Sequence, residues 1–152
     1  MSTTIREAST AARPSKAQEF MDRRPTLLAI RLLVSANLLY GAVFLKFAAV
    51  PGAVALFTEM SQAFHGLIPQ PLFRLGAGVF ETVVAVLLLV TKTARWGARL
   101  TVLWMTAVIL SHIFVLGYDW FFVDALMLML LAVSYLLMAR EQSRQNDPRV
   151  WS

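Results

Sequence analysis

The run from Leu72 to Val90, LFRLGAGVFETVVAVLLLV, is long and apolar enough to cross a bilayer, yet it carries Glu81 at its middle. An apolar layer of ~30 Å takes roughly 20 residues at ~1.5 Å each, so a carboxylate at the centre reaches neither headgroup region by leaning. Lipid exposure would cost roughly 2.5 to 3.5 kcal/mol on insertion scales, and Glu81 must therefore face protein or water. On a helix it shares a face with Arg74, Ala77, Gly78, Ala85 and Leu88, a stripe whose small members let another helix approach closely. Any fold for this chain has to turn that stripe inward and bring other groups to the carboxylate.

Three further runs, Thr26 to Val50, Trp96 to Tyr118 and Trp120 to Met138, are each long enough to span. With 58% hydrophobic residues and a mean hydropathy of +0.63, the 152-residue chain lies well beyond the composition of a soluble domain. A separate soluble domain takes on the order of 50 residues, more than any stretch outside the runs supplies. The expected fold is all-α: an integral membrane four-helix bundle with a short amphipathic surface helix between the first two spans. One domain is expected over residues 25–139, between an N-terminal segment 1–24 and a tail 140–152.

Of the 14 lysines and arginines, only Lys46 and Arg74 fall on one side of a four-span topology; all the others fall opposite. That asymmetry follows the positive-inside rule and expects both termini and the Lys92 to Arg99 turn in the cytoplasm of a bacterial inner membrane. The net charge of +5 then needs no nucleic-acid partner. The absence of cysteine excludes thiol exchange, disulfide relays and cysteine-ligated metals within this chain. Residues 1–24 hold no apolar core, and the first run is about twice the length of a signal-peptide core, so an uncleaved signal anchor is expected.

Along the chain, residues 1–24 should be loosely ordered and Pro25 suits a helix start. Asn37 and Lys46 lie ~180° apart on a regular helix, so both cannot face one interior directly. Lys46 sits one turn below Pro51 and can snorkel as an interfacial lysine, while Asn37 suits an interhelical hydrogen bond. Between Pro51 and Pro71, Ala53 or Val54, Leu56, Phe57, Met60, Phe64 and Leu67 recur at helical spacing, opposite Thr58, Glu59, Ser61, Gln62 and His65. This stretch should lie on the outer surface as a roof, with His65 in water. His112 lies ~7 Å below the outer boundary of the third span, on a face with Thr101, Met105 and Val108. Asp124 lies at a similar depth in the fourth, on the side of Phe121, Leu128 and Tyr135. Short turns make spans two and three, and three and four, antiparallel neighbours.

Lys46, His112 and Asp124 thus fall at ~7 to 9 Å depth and Glu81 at roughly 15 Å, all in the outer half. These four are the polar-pocket candidates, with Arg74, Asn37 and Tyr135 as secondary ones. Lys46 can compensate Asp124 or Glu81, and His112 can pass a proton between them. Such a layer either fixes helix packing or lines a pocket that binds a polar headgroup or passes protons. No metal centre is expected, since these residues lack a chelating pair such as ExxH or HxxxH, and His112 alone is placed for haem. No phosphate loop, nucleophile elbow or dinucleotide fingerprint occurs.

YGAVFLKF in the first span, RLGAGVFETVVAVLLL in the second and GARLTVLWMTAVILSHIFVLG in the third resemble the DoxX-like family of small four-helix membrane proteins. The resemblance covers Leu27 to Tyr135 and is most telling at Lys46, Glu81, Gly97, Ala98 and His112. Family members named DoxD and DoxA are associated with thiosulfate oxidation coupled to membrane quinone, and others with thiol redox systems; the missing cysteines separate this chain from the latter. The resemblance implies a subunit of a respiratory or quinone-linked redox system, with a quinone or lipid as ligand and the bilayer and other membrane subunits as partners. A non-catalytic structural or assembly subunit is the alternative. A small transporter or proton pathway would need an opening on both sides, and the cytoplasmic half offers few polar groups to line one.

Overall fold

The computed structural model describes residues 16–145, with side chains from Pro25 to Arg144. All regular structure among them is helical: α1 (Lys16–Tyr40), π1 (Gly41–Phe47), α2 (Pro51–Ala63), α3 (Gln70–Leu89), α4 (Ala94–Ser111), π2 (His112–Leu116) and α5 (Trp120–Gln145). Because π1 continues α1 and π2 continues α4, the described residues form four long rods and one short helix. The rods Pro25–Phe47, Gln70–Leu89, Ala94–Leu116 and Trp120–Arg144 are each long and apolar enough to cross a membrane. Of residues 1–24, expected to be loosely ordered, 1–15 lie outside the described residues and 16–24 are helical, which corrects that expectation for them.

The helix start expected at Pro25 is corrected to Lys16, with Pro25 inside α1. The segment KAQEFMDRR ahead of the proline is rich in good helix formers, which carries the helix through a residue that removes one N–H donor.

α3 holds the middle of the packing: α1 and π1 lie on one side of it, α4 on another, and α2 across its start. α4 packs along α5, and α5 closes back onto α1. Small residues set how closely the rods approach. A Cβ at Gly97 would lie 2.7 Å from the backbone nitrogen of Leu88, and one at Gly78 would lie 2.9 Å from the Phe47 ring. Ala85, Ala94 and Ala98 complete these seams, and Leu38, Val84, Leu88, Met105, Leu128 and Tyr135 fill the core.

At the end of α3, buried Arg31 donates from Nε to the Leu88 carbonyl at 2.7 Å and from Nη2 to that of Leu89. These carbonyls have no partner within their own helix, and a cation suits the negative end of the helix dipole. Arg31 therefore ties α1 to the far end of α3 from α2.

α2 covers the other end. Phe57 and Phe64 meet Phe73 of α3 edge-on, with ring centres 5.6 and 5.9 Å apart. The helix stops at Ala63, short of the stretch whose periodicity continues to Leu67. His65 and Gly66 enter the left-handed region at φ 54° and 73°, and the Gly66 N–H bonds the Ser61 carbonyl at 2.8 Å. The reversal takes Leu67 off the apolar face and leaves it 83% exposed. Ser61, expected on the wet face, is instead buried and donates to the Ile68 carbonyl at 2.7 Å, which fastens the turn. His65 is exposed, as its place in the pattern indicates.

Candidate functional site

Beneath α2 lies a cavity of about 590 Å³ to which all five α-helices and both π segments contribute. Its wall is largely apolar, built by residues such as Leu38, Leu45, Phe57, Met60, Phe73, Met105 and Leu128. Lys46, Glu81, His112 and Asp124 all line it, as does Asn37. Its deep residues, among them Leu38, Phe57, Glu81 and His112, are buried, whereas Tyr40, Phe64 and Trp120 are exposed and form the rim.

Asn37 and Lys46 share this cavity, against the expectation from regular helical spacing, and π1 is the reason. Steps of ~100° along an α-helix put Lys46 roughly 180° from Asn37. A π turn bonds i to i+5 and takes ~4.4 residues, so the five steps from Gly41 to Lys46 turn through ~410° instead of ~500° and bring Lys46 to within ~90° of Asn37. Of the two readings of Lys46, an interfacial lysine or a counter-charge to Asp124 or Glu81, the pairing with Glu81 holds: the Lys46 side chain is 12% exposed and its Nζ lies 2.7 Å from Oε2 of Glu81. The pair is in ionic contact without the alignment of a hydrogen bond.

Glu81 is 5% exposed and held from two sides. Oε1 accepts the indole N–H of Trp104 at 2.9 Å, while Oε2 faces Lys46. Gly41 makes room for this pair: a Cβ there would lie 3.3 Å from Oε2 and 3.5 Å from Nζ. Trp104 also packs on Phe80, with ring centres 4.8 Å apart. Sequence reasoning missed Trp104, although two signals point to it. It lies mid-span, away from the interfaces where tryptophan collects, and Glu81 and Trp104 are nearly equidistant from the turn at Thr91–Thr93, hence at one depth in an antiparallel pair.

Asp124 accepts a hydrogen bond from Asn37 Nδ2 at 3.0 Å, so it is the amide of α1 and not Lys46 that meets it. His112, at the start of π2, is buried; its Nδ1 lies 2.9 Å from the Val108 carbonyl, which can only accept and so fixes the proton on that nitrogen. Nε2 faces Asp119 Oδ1 at 3.2 Å. His112 therefore joins the cavity to an exposed carboxylate at the mouth of α5 and does not bridge Glu81 and Asp124. Asp119 was another residue the sequence reading passed over. It stands just before α5 and accepts from the Phe122 N–H at 3.0 Å, the geometry of a helix cap.

The secondary candidates divide. Asn37 is in the site; Tyr135 belongs to the core of α5 and does not line the cavity; Arg74, one face-step above Gly78 on α3, is buried outside it. The assembled site can therefore enclose an apolar body and offer an ammonium, two carboxylates, an imidazole and an indole N–H to a polar end. Comparison with protein-family models, curated proteins and solved structures finds no match to the chain.

Proposed function

We propose that this is a multi-pass, DoxX-like inner-membrane protein, a four-helix bundle with α2 on its outer surface, and that its cavity holds a lipid-soluble quinone for a respiratory or quinone-linked redox system. The observation that carries the reading is the meeting, in one cavity, of an apolar wall with the Lys46–Glu81 pair, His112 and Asp124. About 590 Å³ falls inside the range of roughly 300 to 1,000 Å³ usual for small-molecule sites. Converting a quinone to its hydroquinone adds two electrons and two protons, one proton at each carbonyl oxygen. The electrons come from a partner redox subunit, and donors have to stand where the oxygens sit. Lys46 can hydrogen-bond one carbonyl oxygen, and His112 lines the same cavity with Nε2, its nitrogen not held by Val108, 3.2 Å from exposed Asp119. The exposed aromatic rim of Tyr40, Phe64 and Trp120 suits a ligand that arrives from an apolar layer.

The test is solvent extraction of the purified protein followed by mass spectrometry. An isoprenoid quinone is expected at near-stoichiometric level, and a soluble short-chain quinone should quench the fluorescence of Trp104. Absence of both overturns the reading. A second reading, a non-catalytic subunit whose polar layer only fixes packing, draws on the partners already present: Lys46 and Trp104 both engage Glu81, and Asn37 meets Asp124. It expects no quinone and a loss of stability alone on substitution.

A further inference from the structure

α3 starts at Gln70 behind Pro69, with no side-chain cap and no acidic residue in its first turn. A helix start of this kind presents unpaired backbone N–H groups and the positive end of the dipole. Two side chains of the same stretch add donors. Gln70 Nε2 and the Nε and Nη1 atoms of Arg74 are buried with no hydrogen-bond partner among the described residues. Arg74 is only 9% exposed. Helical side chains lean toward the N-terminus, which carries the guanidinium back over the turn that holds Gln70. The carboxylate nearest along its face, Glu81, is already engaged by Lys46 and Trp104. An enclosed guanidinium without a counter-charge is costly, and the adjacent positive helix end adds to the cost. Nothing on the described part of the chain supplies the missing anion.

We propose that the start of α3, from Gln70 to Arg74, is an anion site that takes a phosphate group, bound by the guanidinium fork, the Gln70 side-chain amide and the backbone N–H groups of Gln70 and Leu72, Pro71 between them having none. Neither side chain lines the cavity, so the site is separate from the quinone position. The phosphate can be carried by an anionic phospholipid or be free in solution; the lipid source rests on the membrane reading above, in which this end of α3 meets the outer headgroup layer.

Thermal unfolding of the full chain in detergent separates the cases. It is titrated with dioleoylphosphatidylglycerol, with dioleoylglycerol, which has the same chains but no phosphate, and with sodium phosphate against chloride at matched ionic strength. Phosphatidylglycerol should raise the midpoint and dioleoylglycerol should not. Arg74→Gln should weaken the apparent affinity about tenfold or more, and Arg74→Lys, which keeps the charge but loses the fork, should fall between. If sodium phosphate reproduces the shift with the same dependence on Arg74, the site serves free anions; if only the lipid does, it is a lipid site. Should Arg74→Gln fail to fold, Arg74→Lys carries the comparison. Equal shifts from dioleoylglycerol and phosphatidylglycerol with none from phosphate, or a phosphate response that neither substitution changes, overturns the proposal. Quinone content measured on the same samples reports on the cavity alone, so the two proposals fail separately.

Discussion

Removing either member of the Lys46–Glu81 pair strands the other in a low-dielectric setting. Glu81→Gln and Lys46→Met should each cost about 3 to 5 kcal/mol of stability, and the double change should cost less than the sum, because no lone charge remains. Detergent unfolding of the three variants, read as a double-mutant cycle, decides it; strictly additive losses would refute the pairing. Trp104→Phe keeps an aromatic ring against Phe80 but removes the donor to Oε1, and a loss of about 1.5 to 3 kcal/mol is expected for a hydrogen bond to a charged group. At this scale the sequence was informative about Glu81, since a mid-span carboxylate has few places to go, and about depth, which put Lys46, His112 and Asp124 in one layer. It also pointed to one partner, because Lys46 could compensate Asp124 or Glu81 and pairs with Glu81, but not to the others. Depth follows from counting residues, whereas the choice of Asn37 for Asp124 and of Asp119 for His112 depends on azimuth and on loop geometry that counting does not reach.

Azimuth is a property of elements, and here it turns on two π segments. Nothing in GAVFLKF marks a change of period, because a run of apolar residues around a single lysine reads equally well at either spacing. Only tertiary packing, with Gly41 against the Lys46–Glu81 pair and Gly78 against Phe47 and Lys46, reveals the phase. The end of α2 was misread for a related reason: the apolar pattern runs on to Leu67, but a left-handed pair at His65 and Gly66 stops the helix first. The glycine seams allow a graded prediction. A methyl at Gly97 would press on the Leu88 backbone, which cannot swing aside, whereas at Gly78 the first obstacle is a ring. Gly97→Ala should therefore destabilise by about 1 to 3 kcal/mol, and Gly78→Ala by less. Equal losses in chemical unfolding would mean that the α3–α4 seam yields as easily as a side chain.

For the whole molecule, hydropathy alone located all four rods, because a stretch long enough to span carries its signal in composition and needs no partner to be seen. The proposed topology rests on the charge asymmetry and is open to direct measurement. A reporter fused after Ser152 should report the cytoplasm, and a tag near Gln62 should be reachable only from the opposite side; reversal of either would invert the proposed orientation. The two ends of the rods are built differently. Around Leu88 and Leu89 they are sealed by Arg31 and by the close passage of Gly97, while beneath α2 they part around the cavity. A chamber open only at the rim of Tyr40, Phe64 and Trp120 would be a cul-de-sac: an occupant would have to back out before a successor could enter. Exchange in such a chamber would be a queue, with a departure rate indifferent to how much competitor waits outside.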